Sequence, residues 1–264
     1  MTNEPSFPAE RRAFGFTVHP GTLEDYVEVA RRAVETRAPR TVLYHNLHSL
    51  YCWYRSAELR RHYEGATVLV DGMPVIGLLR LAGVPAARDE RVTYVDLIMP
   101  LLERARDEGW RVFHLGQSAD VHARALERVR AELPGIDIRG RDGYFDQRAD
   151  GPESLAVVDE INAAGTDLLL VGFGAPRQEA WLHAHRSRID APAVFACGAC
   201  MEYVAGEVAT PPRWLGRLGL EWTWRLAGDP GRFAFRYLVE PALLGAMIAR
   251  RAAFDALARR RAAP

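Results

Sequence analysis

The sequence contains no lysine and only three cysteines in 264 residues. Because arginine is the only strongly basic residue used, an arginine at a given position is weak evidence that its two-pronged guanidinium is required there. Cys52, Cys197 and Cys200 are too few and too unevenly spaced for a disulfide framework. An apolar core must therefore stabilise the fold, and an apolar fraction of 48% is ordinary for a globular protein.

Long apolar runs are also missing. A membrane-spanning helix needs about 20 apolar residues, and the nearest candidate, residues 233–248, is interrupted by Arg236, Glu240 and Pro241. The N-terminus lacks the basic, then apolar, then small-residue order of a signal peptide. These absences predict a cytoplasmic protein whose contact with a membrane, if any, is peripheral.

The chain has no net charge, since 34 basic side chains balance 34 acidic ones. Bulk electrostatics therefore give no indication of a nucleic-acid partner. The balance is uneven, because residues 211–264 contain ten arginines against four acidic residues. A basic segment on an acidic body indicates a segment that meets an anionic surface or ligand.

Short apolar runs alternate with helical patterns along the first 210 residues. Strands that alternate with helices predict βαβ units, and hence a Rossmann-like α/β fold with a mostly parallel sheet flanked by helices. Right-handed crossovers bring the C-terminal ends of such strands together in a crevice. The predicted strands are residues 41–46, 67–70, 111–115, 136–139, 167–173 and 193–197, and the predicted helices are residues 120–132, 152–164 and 177–188.

The composition changes after residue 210. Three of the six tryptophans fall within residues 214–224, mixed with arginine and glycine. We therefore predict an α/β domain over residues 1–210, with about 12 disordered residues at its start, and a helical, basic and aromatic appendage over residues 211–264. The appendage either docks on the α/β domain or swings away from it.

Asp71 and Gly72 directly follow a predicted strand. A carboxylate at the C-terminal end of a central strand would point into the crevice, where it could act as a general base. The alternative is an ordinary Asp-Gly turn, which the local sequence alone favours.

Residues 172–179 close another strand and open a helix. Pro176 suits the first helical turn, Glu179 could cap free amides, and the exposed N–H groups could bind a phosphate. The segment is not a dinucleotide fingerprint, because Arg177 stands in place of the third glycine. A tight strand-to-helix turn without a ligand explains the pattern equally well.

Two further patterns are better explained by packing. Cys197 and Cys200 have redox or zinc spacing, but there is no second pair to complete a zinc site, so we expect small buried residues. His45 and His48 flank Asn46 and could orient a sugar or a phosphate, but they lack a carboxylate-rich metal pattern, and we expect them to be packed or exposed.

Five arginines are interleaved with aromatic residues in the appendage. Arg232 and Arg236 have i, i+4 spacing and would share a helix face. Such a segment suits an anionic membrane interface or a diphosphate, whereas an amphipathic helix that packs its aromatics on the domain is the simpler explanation. The arginines are Arg213, Arg217, Arg225, Arg232 and Arg236.

Taken together, these segments resemble the WecG/TagA/CpsF family of glycosyltransferases over residues 41–238. Several ordered motifs at family-like spacing are more specific than any one of them. The motifs are residues 174–181, 218–225, 229–232 and 236–237, with 70–72, 90–92, 140 and 143–145 also similar.

The resemblance implies an inverting enzyme that uses a UDP-sugar donor and requires no cofactor or catalytic metal. Asp71 matches the family's candidate base, which would deprotonate the acceptor hydroxyl as that hydroxyl attacks the anomeric carbon. The implied donor-binding residues are Asn46, Arg91, Gly172, Gly174 and Gln178.

The resemblance also implies that the appendage folds over the site and brings the protein to the inner face of the cell membrane. Arg225, Arg232 and Arg236 match its basic positions and would bind the diphosphate of a polyprenyl-linked sugar acceptor. Closure would exclude water and limit hydrolysis of the donor.

The chain departs from the family pattern at Tyr44, at Tyr94, at residues 197–202 and at Thr210. These departures leave the donor sugar open among an N-acetylhexosamine, its uronate and a hexose. They also leave open a degenerate member that binds nucleotide without turnover. A Rossmann-type oxidoreductase is a weaker alternative, because the dinucleotide fingerprint is missing.

Overall fold

Six parallel strands form one sheet in the order β4-β3-β8-β7-β5-β6. The computed structural model describes residues 7–209, 215 and 220–262, with the side chains of residue 232 and residues 255–262 excepted. The sheet strands are β3 (Arg40–His45), β4 (Thr67–Val70), β5 (Arg111–Gly116), β6 (Asp137–Arg141), β7 (Leu168–Gly172) and β8 (Ala193–Ala196). Each predicted strand is thus confirmed within one or two residues.

Helices cover both faces of the sheet. The strands at its centre, β7 and β8, are buried along their whole length because side chains on both faces pack against helices. The helices of this domain are α1 (Leu23–Thr36), α2 (Leu47–Arg55), α3 (Ala57–His62), α4 (Met73–Leu81), α5 (Tyr94–Asp107), α6 (Ala119–Glu132), α7 (Pro152–Ala163), α8 (Arg177–His185) and α9 (Cys200–Val204).

Two features of the α/β domain differ from the prediction. Among the described strands, β4 lies at the edge of the sheet and pairs with β3 alone, so Asp71 does not follow a central strand. Residues 11 and 12, which we expected to be disordered, belong to strand β1 (Arg11–Ala13), which forms an antiparallel hairpin with β2 (Phe16–Val18). Arg11 is anchored by a salt bridge of 2.7 Å to Glu90. Residues 1–6 lie outside the described part of the chain.

The described part of the appendage is helical, as predicted, and it is docked on the α/β domain. Its helices are α10 (Glu221–Gly228), α11 (Pro230–Ala234) and α12 (Glu240–Ala262). Leu244 and Ile248 of α12 are buried in the core beside α2. The Trp224 indole N–H donates a hydrogen bond of 3.1 Å to the Ala209 carbonyl. The helices therefore close over the C-terminal ends of the strands.

A π-helical turn, Phe235–Val239, joins α11 to α12 immediately before Pro241. Proline has no N–H to continue an α-helical ladder, and its ring collides with the carbonyl one turn earlier. The wider π turn makes room for that ring, and such turns are frequent at functional sites. This turn carries Arg236 and Tyr237.

Candidate active site

The loops that follow β3, β4, β5, β7 and β8 meet at one edge of the sheet, beneath the appendage. Two cavities open there, of about 810 Å³ and about 320 Å³. Arg225 lines both, because it lies on the inner face of α10 between them. The single guanidinium of Arg225 can thus contact a ligand in either cavity.

The smaller cavity contains the candidate base. Asp71 is held at the end of β4 by the hydrogen bond from its backbone N–H to the His45 carbonyl, at 2.9 Å. The Asn46 amide donates a hydrogen bond of 3.0 Å to Asp71 Oδ2. The cavity is lined by Asn46, Leu47, His48, Asp71, Gly72, Met73, Pro74, Arg91, Glu221, Trp222, Arg225, Arg236, Tyr237 and Pro241.

Burial raises the pKa of the Asp71 carboxyl above its ordinary value. The Asn46 hydrogen bond and the charges of Arg225, Arg236 and Arg91 act in the opposite direction. A carboxylate with a raised pKa is a stronger base, and the surrounding arginines keep its ionised form accessible. Asp71 is therefore a carboxyl group of raised pKa that lines a cavity.

Asn46 was expected to bind the donor, but the structure gives it two structural contacts. It is the N-cap of α2, where its Oδ1 accepts a hydrogen bond of 3.0 Å from the Ser49 N–H. Its amide nitrogen faces Asp71, as described above. Asn46 therefore orients the candidate base, although it also lines the smaller cavity.

Three of the predicted arginines meet around Asp71. Arg91 was predicted to bind the donor, yet it lines the smaller cavity together with Arg225 and Arg236, which were predicted to bind the acceptor. Its guanidinium lies 3.4 Å from the Glu221 carboxylate and 3.3 Å from that of Asp96. The side chain of Arg232 and the whole of Arg213 and Arg217 lie outside the described residues.

The larger cavity contains the two predicted glycines. A side chain at Gly172 would place its Cβ 2.8 Å from the Gly198 carbonyl oxygen, so close packing of two backbones requires glycine there. Gly174 has φ of 79°, which favours glycine, and its Cα faces open space. The cavity is also lined by Gln117, Ser118, Tyr144, Phe173, Arg177, Glu202, Trp224, Asp229 and Phe233.

Gln178 was predicted to contact the donor, but it is fully buried and lines neither cavity. Its Oε1 accepts hydrogen bonds from the backbone N–H groups of Gly174, at 3.2 Å, and Gly198, at 3.1 Å. Its Nε2 donates to the buried Glu179 carboxylate at 2.9 Å. Gln178 thus fixes the loops after β7 and β8, and the Glu179 carboxylate accepts a hydrogen bond from the Gln178 amide.

The histidine and cysteine patterns have structural explanations. His45 is buried and stacks on Tyr63 with ring centroids 4.4 Å apart. His48 Nδ1 lies 2.8 Å from the Glu240 carboxylate and links α2 to α12. Cys197 and Cys200 are both buried and free, as expected.

The departures at Tyr44 and Tyr94 lie behind the cavities and not in their walls. Both side chains are buried, and their rings form an edge-to-face pair with centroids 5.7 Å apart. The Tyr44 hydroxyl oxygen lies 2.9 Å from the position that a Cβ on Gly198 would occupy. These tyrosines therefore support the loop after β8 from below.

Two residues of the site were not singled out in the sequence. Gln117 follows β5 with φ of 61°, lines the larger cavity and donates hydrogen bonds to the Gly172 and Gly198 carbonyls. Its position after a strand, like that of Asp71, was the available signal. Glu221 was included in the motif of residues 218–225, but nothing in the sequence paired it with Arg91.

Comparison with known proteins shows the family of this chain. The chain matches the Glycosyl transferase WecG/TagA/CpsF family over residues 11–256. It is 34% identical over 168 residues to an N-acetylglucosaminyldiphosphoundecaprenol N-acetyl-beta-D-mannosaminyltransferase of Bacillus spizizenii, and 30% identical over 167 residues to the enzyme of that name from Bacillus subtilis. Each alignment covers 63% of this chain and 62% of the relative's length. The match over residues 11–256 shows that this chain belongs to the WecG/TagA/CpsF family of glycosyl transferases.

Proposed function

We propose that this protein is an inverting glycosyltransferase that moves a sugar from a UDP-sugar to a polyprenyl-diphosphate-linked acceptor in cell-envelope or exopolysaccharide assembly. The observation that carries the proposal is the position of Asp71, whose carboxylate faces a cavity lined by three arginines. The names of the relatives supply the acceptor class, a lipid-diphosphate-linked N-acetylglucosamine.

The reaction is a single displacement. The acceptor hydroxyl oxygen attacks the anomeric carbon, the bond from that carbon to the donor phosphate oxygen breaks, and Asp71 takes the hydroxyl proton. Because a carboxylate is a weak base, proton transfer accompanies the attack. The charge that develops on the departing UDP is stabilised by fixed positive groups, and Arg225, which lines both cavities, is the proposed group.

The larger cavity is the proposed donor site. Its volume of about 810 Å³ lies in the range of small-molecule sites. Gly174 and the beginning of α8 offer close backbone approach, and Trp224 and Phe233 offer apolar and aromatic surface. The donor sugar is proposed to be an N-acetylhexosamine, its uronate or a hexose, and the relatives' names favour the first.

The smaller cavity is the proposed site of the acceptor diphosphate. Arg225 and Arg236 lie beside Asp71 there, and the Arg225 Nε–H is buried without a hydrogen-bond partner. A buried N–H without a partner costs free energy, which an anionic oxygen would recover. With the arginines supplying positive charge, we propose that transfer needs no divalent metal and continues in excess EDTA.

The appendage is also the proposed membrane contact. Phe235, Leu238 and Val239 of the π-helical turn expose large apolar side chains next to Arg236. Apolar groups beside a guanidinium suit the interface of an anionic bilayer. Among the described helices, none combines the length and apolar character needed to cross a bilayer. Peripheral association with the inner face of the cell membrane is therefore proposed.

The test is transfer from a panel of UDP-sugars to a synthetic polyprenyl-diphosphate-N-acetylglucosamine by the wild type and Asp71→Asn. We expect product from one donor and a loss of about 100- to 10,000-fold in kcat in the variant, with unchanged affinity for UDP. UDP binding without transfer from any donor would support the degenerate, binding-only alternative. Absence of UDP binding would refute the proposal.

A further inference from the structure

Glu221 is a second carboxylate in the smaller cavity, which it lines together with Asp71. Glu221 begins α10, and its Oε1 lies 3.4 Å from the Arg91 Nη1. The two side chains are only 28% and 18% exposed, respectively. A carboxylate thus occupies one side of the Arg91 guanidinium, which also contacts Asp96 at 3.3 Å and lines the cavity.

The charges of the cavity indicate why this contact matters. Arg91, Arg225 and Arg236 bring three positive charges, whereas Asp71 and Glu221 bring two negative ones. An empty arginine cluster would be destabilised by self-repulsion and by unpaired buried donors. The Glu221 carboxylate compensates one of these charges, and its Oε1 takes a place beside the guanidinium that a phosphate oxygen could take.

We propose that the Glu221 carboxylate occupies the place of a ligand diphosphate beside Arg91. It holds Arg91 toward the cavity in the empty protein and is displaced from Arg91 when a diphosphate binds. This proposal rests on the proposed function, because it takes diphosphate as the ligand class. The diphosphate can be that of UDP or that of the lipid, since Arg225 joins the two cavities.

Displacement has an electrostatic consequence. Burial already raises the pKa of Glu221, as does the Asp71 charge, whereas Arg91 and Arg225 lower it. The groups that face Glu221 are Arg91 and Asp96 from the α5 side, Asp71 after β4, and Arg225 from its own helix. When a diphosphate binds to Arg91 and Arg225, Glu221 loses the positive charges that pair with it and gains a negative neighbour. The pKa of Glu221 therefore rises further. Diphosphate binding should therefore be accompanied by proton uptake.

The experiment measures the affinity of UDP and, separately, of farnesyl diphosphate by calorimetry for the wild type and Glu221→Gln. At pH 8 we expect the variant to bind at least one of the two probes about two- to fivefold more tightly, since a partly exposed competing ion pair is removed. At pH 6.5, measurements in two buffers of different ionisation enthalpy should show proton uptake that is smaller in Glu221→Gln. The two probes decide which diphosphate displaces Glu221.

Three controls keep the outcomes separate. Glu160→Gln removes a carboxylate that lies 3.3 Å from Arg141, outside the site, and should leave both affinities unchanged. Asp71→Asn reports the share of proton uptake that belongs to the candidate base. Glu221→Asp keeps the charge and should restore the wild-type affinity and proton uptake.

Equal or weaker binding of both probes by a folded Glu221→Gln variant would overturn this inference, because Glu221 would then act only as a structural support for Arg91. Failure of the wild type to bind either probe would instead contradict the proposed function. Circular dichroism and the urea midpoint establish folding of each variant. The two failures are thus distinguishable.

Discussion

The Asn46 amide lies 3.0 Å from the Asp71 carboxylate while its own carbonyl oxygen caps helix α2. One side chain therefore connects the start of a helix to the candidate base. The hydrogen bond stabilises the ionised form of Asp71 and lowers the pKa that burial raises.

Substitutions of Asn46 separate its contribution to stability, through the helix cap, from its effect on the pKa of Asp71. Asn46→Ala should cost about 1 kcal/mol of stability through the lost cap, and Asn46→Ser should retain most of it. In both variants the pKa of Asp71 rises, because the stabilising N–H is gone. The acid limb of the kcat/KM profile should move to higher pH in both. An unchanged acid limb would show that Asp71 does not control it.

Gln178 is predicted to position the donor site without contacting the donor. Gln178→Leu leaves the N–H groups of Gly174 and Gly198 and the Glu179 carboxylate without their partner. We expect a loss of about 2–4 kcal/mol in the free energy of unfolding and weaker UDP binding, measured by urea denaturation and calorimetry. Gln147→Leu, which removes a hydrogen bond to the Gly143 carbonyl, is the matched control for stability. Wild-type stability of Gln178→Leu would contradict the linking role.

Glu179 makes stability depend on pH. Burial raises the pKa of Glu179 from 4.5 to about 7, opposed by the hydrogen bond from Gln178. The folded state therefore holds this proton more tightly than the unfolded state. Stability is unaffected below pH 4.5, falls as pH rises from there, and reaches its full loss of about 3 kcal/mol above pH 7.

Glu179→Gln should remove this loss. The difference in urea midpoint between the variant and the wild type should increase in favour of the variant from pH 5 to pH 8. Several histidines have lowered pKa values and also make stability depend on pH. Their contribution is the same in both proteins and cancels in the difference. Glu160→Gln, at an exposed ion pair, should show no such trend. A parallel pH dependence of Glu179→Gln and the wild type would place the ionisation elsewhere.

The π-helical turn is predicted to hold the protein on anionic vesicles. Phe235→Ser combined with Leu238→Ser removes exposed apolar surface without touching Leu244 or Ile248, which anchor α12 in the core. We expect less sedimentation with anionic vesicles and unchanged affinity for UDP. Removal of the whole appendage is a poorer test, because it exposes that core. Equal sedimentation of the wild type and the double variant would exclude this turn as the contact.

The sequence by itself determined the parallel α/β architecture, because buried strands and amphipathic helices have different apolar periods that can be read locally. It also indicated Asp71, Gly172 and Gly174, since residues that follow strands must meet at one edge of a parallel sheet. Helices α1 to α5 and the β1–β2 hairpin were not predicted. For α1 a signal was available, because Thr22 followed three residues later by Asp25 is a capping-box pattern.

Only the tertiary structure decided the order of the strands, because short-range sequence patterns contain no information on which strands become neighbours. That order places β4 at the edge and the appendage across it, which brings Arg91 to Glu221 over 130 residues of sequence. It also converts Gln178 from an expected ligand contact into a buried link between two loops. Such contacts depend on which loops become adjacent, and that adjacency is set by the packing of the whole sheet.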